Sequence, residues 1–233
     1  MLWYKAWLET RWRFVFILGS ILLVWVAPLW LPSTGVSAAV AASRMGRALQ
    51  LESALLYIFA AIYLAGAGIN TQTVYAATTG FHGSMLFTLS MPVSRRRLLL
   101  VRAGLGAILT GLLVAIVAGY TLLHQPGSAS ARAIVEYIAR AIICTMAVYS
   151  LSVLMACVLD EMWQFMGGCC VWVAFFMLQS RFAVLSSLSP LRGMSLICYP
   201  LGGPMPWMTV LASLAFAGAF LCASALVLQR KEY

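Results

Sequence analysis

AGLGAILTGLLVAIVAGYTLL, residues Ala103 to Leu123, runs for 21 positions without a charged side chain. A helix rises about 1.5 Å per residue, so the stretch reaches about 30 Å, the depth of a bilayer's hydrocarbon core. Its apolar residues do not alternate with polar ones, which excludes a lumen-lined barrel strand. A helix satisfies its own backbone donors and acceptors and is the form such a segment takes in lipid.

Working outward, the pattern repeats. Spans are expected at 14–31, 54–77, 98–123, 137–159, 162–180 and 207–229, which makes an all-α membrane protein with six transmembrane helices in one domain. The composition agrees: 63% of the 233 residues are hydrophobic and 9% charged, and the mean hydropathy is +0.95. Those values lie far outside the range of a soluble domain. The first run reads as a retained span and not a cleaved signal peptide, because Trp25, Pro28, Trp30 and Pro32 stand where small cleavage-site residues belong.

Residues 1–13 read as an amphipathic helix lying on the membrane surface before the chain turns into the first span. Lys5, Glu9 and Arg13 recur at every fourth position, and Trp3, Trp7 and Trp12 supply interfacial anchors. Basic residues near short loops stay on the cytoplasmic side. An inside N-terminus places Lys5, Arg11, Arg13, Arg95, Arg96, Arg97, Arg102, Arg230 and Lys231 there, against Arg44, Arg47, Arg132, Arg181 and Arg192 outside. Both termini are therefore expected in the cytoplasm. The net charge of +9 reads as topology and attraction to anionic membrane lipid, and no basic groove with interleaved aromatics points to nucleic acid.

Cys144, Cys157, Cys169, Cys170 and Cys222 fall within expected spans and only Cys198 outside, which speaks against a disulfide framework. None of the spacings is that of a metal site. Glu136 and Arg140 lie four residues apart on one helix face. They are expected to form an ion pair, either structural or facing a polar or anionic cargo group. Asp160 and Glu161 end the fourth span, where solvent, the arginines at 95–97 or a partner's basic residues can meet them. Residues 181–206, with four prolines and three glycines, suggest an external segment with one or two short re-entrant or interfacial helices.

The passage Thr78 to Arg102 reads TTGFHGSMLFTLSMPVSRRRLLLVR. Gly83 to Leu89 is too short to span and suits a short surface helix; Pro92 forces a turn. Ser94 is placed to cap a helix whose first turn carries Arg95, Arg96 and Arg97. Three cations there oppose the macrodipole and call for anionic lipid or a partner's carboxylates.

This order of short helix, Leu-Ser-Met-Pro-Val-Ser-Arg and basic run resembles the cytosolic coupling segment, here 78–97, in permease subunits of type-2 ABC exporters. The resemblance implies a permease that is not itself an enzyme and binds no cofactor. ATP and Mg would sit on a separate ATP-binding cassette subunit. It implies a homodimer or a heterodimer with a similar permease, in a bacterial inner membrane. Phe81, Gly83, Ser84, Phe87, Leu89, Pro92, Val93, Ser94, Arg95, Arg96 and Arg97 would form the coupling surface. Family members commonly carry charged residues before the glycine. Here Thr78, Thr79, Gly80, Phe81 and His82 stand there, so the contact would rest on Phe81, Phe87 and shape.

The chain has no Gly-x-x-x-x-Gly-Lys-Ser/Thr phosphate loop. Two rival readings remain. A membrane scaffold or assembly factor would need the same spans and loop. An intramembrane enzyme would need more than His82 and His124, which the expected topology holds on opposite sides.

Overall fold

The computed structural model describes residues 2–30, 54–65, 95–123, 130–159, 161–179, 181–196 and 198–230. Among these residues the ordered elements are helices, with no strand. They are α1 (Leu2–Trp30), α2 (Ala54–Leu64), α3 (Arg95–Leu123), α4 (Ala131–Val158), α5 (Glu161–Gln179), α6 (Ala183–Leu188), α7 (Pro190–Met194) and α8 (Trp207–Arg230). Four helices are long and apolar enough to cross a membrane: Arg97–Leu122 within α3, α4, Met162–Gln179 within α5, and α8. The chain is a membrane protein by that measure.

α4 is the central post. It starts where Ser130, in extended conformation, accepts a hydrogen bond on its hydroxyl from the Ala133 N–H at 3.2 Å, a side-chain N-cap. It ends at Leu159, which turns extended while its N–H still bonds Met155 O. The most apolar stretch of α4 is 61% buried within the chain, against 17% for α5 and 22% for α8. The outward faces of α5 and α8, with Met166, Val173, Phe176, Leu211, Leu214 and Leu221 exposed, are therefore suited to lipid or another membrane helix.

Contacts give the directions. Tyr149 donates its hydroxyl to Ala103 O at 2.8 Å, and Gly111 lies near Ile142, so α3 and α4 run antiparallel. Gly167 lies against Met155 and Leu159, which sets α5 antiparallel to α4. Ser213 of α8 meets Cys144 at 3.6 Å, and Trp207 shares a cleft with Ala133 and Glu136, so α8 descends beside α4.

Hydroxyls inside the bundle turn back on their own helices. Thr10, Thr121, Thr145, Ser152, Ser213 and Ser224 each donate to the carbonyl four residues earlier at 2.7–2.9 Å. Polar side chains satisfied in this way are tolerated in an apolar surrounding without a partner helix.

One expectation needs correction. α1 is one helix from Leu2 to Trp30, so the chain does not turn between the surface segment 1–13 and the first span. The run around residue 13 contains no glycine or proline to break it, and its buried positions Ala6, Thr10, Ile17 and Ile21 keep one helical face across the expected boundary. Trp3, Trp7 and Trp12 remain exposed at the bundle's outside. Of the expected second span, Ala54–Leu64 is helix, with Ala65 in a turn. Residues 66–77 lie outside the described residues.

Elsewhere the expected bounds sit close to the observed ones: α3 begins at Arg95, α5 ends at Gln179 and α8 begins at Trp207. α4 starts six residues before the expected 137, because Ser130 can cap the helix and Ala131 onward sustains it. The segment 181–206 holds two short helices, α6 and α7. They fold back so that Leu191 and Met194 are buried against the core.

Candidate functional site

Arg140 lies nine residues into α4, about 14 Å from its first turn, and is only 5% exposed. Glu136 is not its partner. Glu136 instead accepts from the Arg132 Nε at 2.7 Å at the open end of the helix. It sits one turn from both arginines, and Arg132 is the one that meets it while both stay solvated. The expected Glu136–Arg140 pair is therefore replaced by Arg132–Glu136.

The Arg140 guanidinium turns inward. One terminal nitrogen, Nη2, donates to the Tyr199 carbonyl at 2.9 Å, and the guanidinium carbon lies 5.5 Å from the centroids of both the Tyr137 and Tyr199 rings. Its Nε is buried without a hydrogen-bond partner, and no carboxylate among the described residues pairs with it. Tyr137 is held by Tyr57 of α2, hydroxyl to hydroxyl at 3.2 Å.

Tyr199 belongs to the loop between α7 and α8, and the loop has a local cause. Gly202 takes φ +77°, a region that favours glycine, and Gly203 N–H bonds Pro200 O at 3.2 Å, closing a tight turn. Upstream, Ser189 donates to Gln179 Oε1, Arg192 donates to Ser186 Oγ at 2.6 Å, and Thr209 donates to Ser187 O at 2.7 Å. These bonds tie α6 and α7 to the ends of α5 and α8. Gly193 is what lets α7 approach: a Cβ there would collide with Cys144 Sγ and lie 3.0 Å from Thr209.

Two clefts flank this loop. One of about 520 Å³ is bounded by Ser130, Arg132, Glu136 and Trp207; the other, of about 490 Å³, is bounded by Cys198, Tyr199, Pro206 and Trp207. The loop from Gly203 to Met205 is common to both.

A second polar junction lies toward the opposite end, near Leu64 of α2. Gln164 of α5, 4% exposed, donates its amide to Ile62 O at 3.2 Å and Ala65 O at 2.9 Å. Arg13 of α1 donates to Tyr63 O at 3.4 Å and stands over the Tyr63 ring at 5.7 Å. Two other helices thus donate side-chain hydrogen bonds to carbonyls near the described end of α2.

Of the expected coupling residues, Phe81, Gly83, Ser84, Phe87, Leu89, Pro92, Val93 and Ser94 lie outside the described residues. Arg95, Arg96 and Arg97 form the first turn of α3, and Arg97 is exposed. None of the six cysteines is in a disulfide, and Cys170, Cys198 and Cys222 are exposed. Among the described residues no cluster of His, Cys, Asp or Glu is close enough to hold a metal ion.

Sequence reasoning singled out Arg140 but missed Tyr137, Tyr199, Gln164 and the inward turn of Arg13. Tyr137 stands three residues before Arg140, on the same face, and a glutamine inside an apolar run marks an interhelical hydrogen bond. Both signals were in the sequence; the Tyr199 carbonyl had none. No protein-family model and no curated protein matches the chain.

Proposed function

We propose that the chain is the permease subunit of an ATP-driven exporter of the type-2 ABC kind. In this reading six spans, completed by the second half of α1 and by residues 54–77, form half of a transport path in a bacterial inner membrane with both termini in the cytoplasm. Energy comes from a separate ATP-binding subunit that presses on residues 78–97.

The observation that carries this reading is the join between Leu89-Ser90-Met91-Pro92-Val93-Ser94 and α3, which starts at Arg95. A proline in the sequence just ahead of a basic first turn on a long apolar helix would let a push on the loop travel along that helix. α3 packs against both α1 and the central α4, so a displacement at Arg95 reaches the bundle core. The broad exposed apolar faces of α5 and α8 leave room for a second six-span subunit.

The test is to isolate the full chain from its native membrane and ask what comes with it. An ATP-binding subunit that co-purifies, with ATP hydrolysis lost on replacing Pro92 and Arg95 to Arg97, is the expected result. A chain that purifies without a nucleotide-binding partner would sink the transporter reading and leave a membrane scaffold in its place.

A further inference from the structure

We propose that Arg140 is a receptor for an oxyanion, a carboxylate or a phosphate, and that the Tyr199 carbonyl occupies half of that receptor until the anion arrives. Nε and Nη2 of an arginine form one side-on fork, two parallel N–H groups that match two oxygens of one carboxylate or phosphate. In Arg140 the Nη2 prong bonds the single oxygen of Tyr199 at 2.9 Å, while the Nε prong is buried and unpartnered. A carbonyl has one oxygen and fills one prong. An oxyanion has two and fills both.

Charge points the same way. A buried guanidinium without an opposing charge is costly, and among the described residues no carboxylate pairs with Arg140. The one nearby, Glu136, is held by Arg132 at 2.7 Å. The Tyr137 and Tyr199 rings, each 5.5 Å away, stabilise a cation but do not neutralise it. What they leave open is the fork edge.

The route to it is the loop itself. Tyr199 lines the cleft between Cys198 and Trp207, and a second cleft lies on the far side of Gly203 and Pro204. The Pro200–Gly203 turn is closed by one 3.2 Å hydrogen bond and Tyr199 is held by one from its N–H to Ser195 O at 3.3 Å, so displacing the Tyr199 carbonyl strains two loop bonds and unravels no helix. An anion entering along the cleft takes Nε and Nη2 together and displaces the Tyr199 carbonyl outward.

Binding is a property of the chain alone. That the anion is also cargo rests on the transport reading above, whose failure would leave the binding intact.

The test uses the full chain in phosphatidylcholine nanodiscs. Cys198, exposed and next to Tyr199, reports loop movement through its rate of reaction with N-ethylmaleimide, read by mass spectrometry; Cys222, also exposed, is the internal reference. Decyl phosphate is titrated as the probe. A saturable change in the Cys198 rate with none at Cys222 is expected. The midpoint should rise about tenfold or more in Arg140→Gln, the scale of a lost charge-assisted pair. Arg140→Lys, which keeps the charge but loses the fork, should weaken binding as well, and Arg181→Gln, exposed and lining neither cleft, should leave it unchanged.

A wild-type Cys198 rate that does not respond to saturating decyl phosphate overturns the proposal, and needs no variant to fold. Equal midpoints in wild type and Arg140→Lys overturn the fork. Three arms identify the source: the same change with inorganic phosphate marks a soluble ion, with phosphatidylglycerol in the disc a lipid headgroup, and with decyl phosphate alone an amphipathic anion.

Discussion

Gly106 shows how much one missing methyl group decides. A Cβ there would overlap the Tyr149 hydroxyl and sit 3.3 Å from the Leu64 carbonyl, at the point where α2, α3 and α4 meet. Gly106→Ala must push Tyr149 off its 2.8 Å bond to Ala103 O, and overpacking of this kind costs about 1–3 kcal/mol. Gly119, in the same helix, has nothing within 4 Å of its Cβ position. Gly119→Ala therefore gains helix propensity of about 0.5–1 kcal/mol. Thermal unfolding in detergent should move in opposite directions for the two variants; equal shifts would refute the crossing at Gly106. In the sequence the two glycines look alike, since each lies in an apolar run, and only the partner that crosses one of them tells them apart. The same limit explains the Glu136 error. Its spacing to Arg132 and to Arg140 is identical, and the choice between them depends on Tyr199, 59 residues away.

At the scale of elements, α2 is tied to two other helices near Leu64. Gln164 and Arg13 take up the carbonyls of Ile62, Tyr63 and Ala65. Gln164→Leu removes two hydrogen bonds, at about 0.5–1.5 kcal/mol each. The expected readout is a lowered unfolding temperature together with faster backbone amide exchange across Tyr63 to Ala65; wild-type values in both would show that the tie is idle. Ser130→Ala removes the one side-chain cap of α4 and should cost about 1 kcal/mol. The long spans were legible because twenty apolar residues in a row admit few alternatives. The side-chain donors to Tyr63 and Ile62 were not, because they stand 50 and 102 positions away. The unbroken α1 was misread for a related reason: Lys5, Glu9 and Arg13 share a polar stripe, yet Arg13 bends inward to α2.

At the scale of the whole molecule, the helix directions sort the described cations into two groups. Arg95, Arg96, Arg97 and Arg102 open α3, and Arg230 closes α8. Lys5, Arg11 and Arg13 belong with them, since Trp3 of the same helix rests 3.5 Å from the Cβ position of Gly104. Arg132, Arg181 and Arg192 lie at the opposite end, with the clefts and the 198–206 loop. In the proposed orientation, which follows the positive-inside bias, the first group would face the cytoplasm and Cys198 the outside. Cys198 is exposed, so a membrane-impermeant maleimide applied to spheroplasts should label it directly. In a Cys198→Ser background, a cysteine replacing Arg230 should label only after permeabilisation. Cys170 and Cys222 lie on outward helix faces and should label slowly in both cases, because a membrane-impermeant reagent does not enter hydrocarbon. Labelling of the residue-230 cysteine from outside, with Cys198 protected, would invert the orientation. The Arg140 fork would then open to the cytoplasm, and an anion would reach it from the side that holds the arginines of α3.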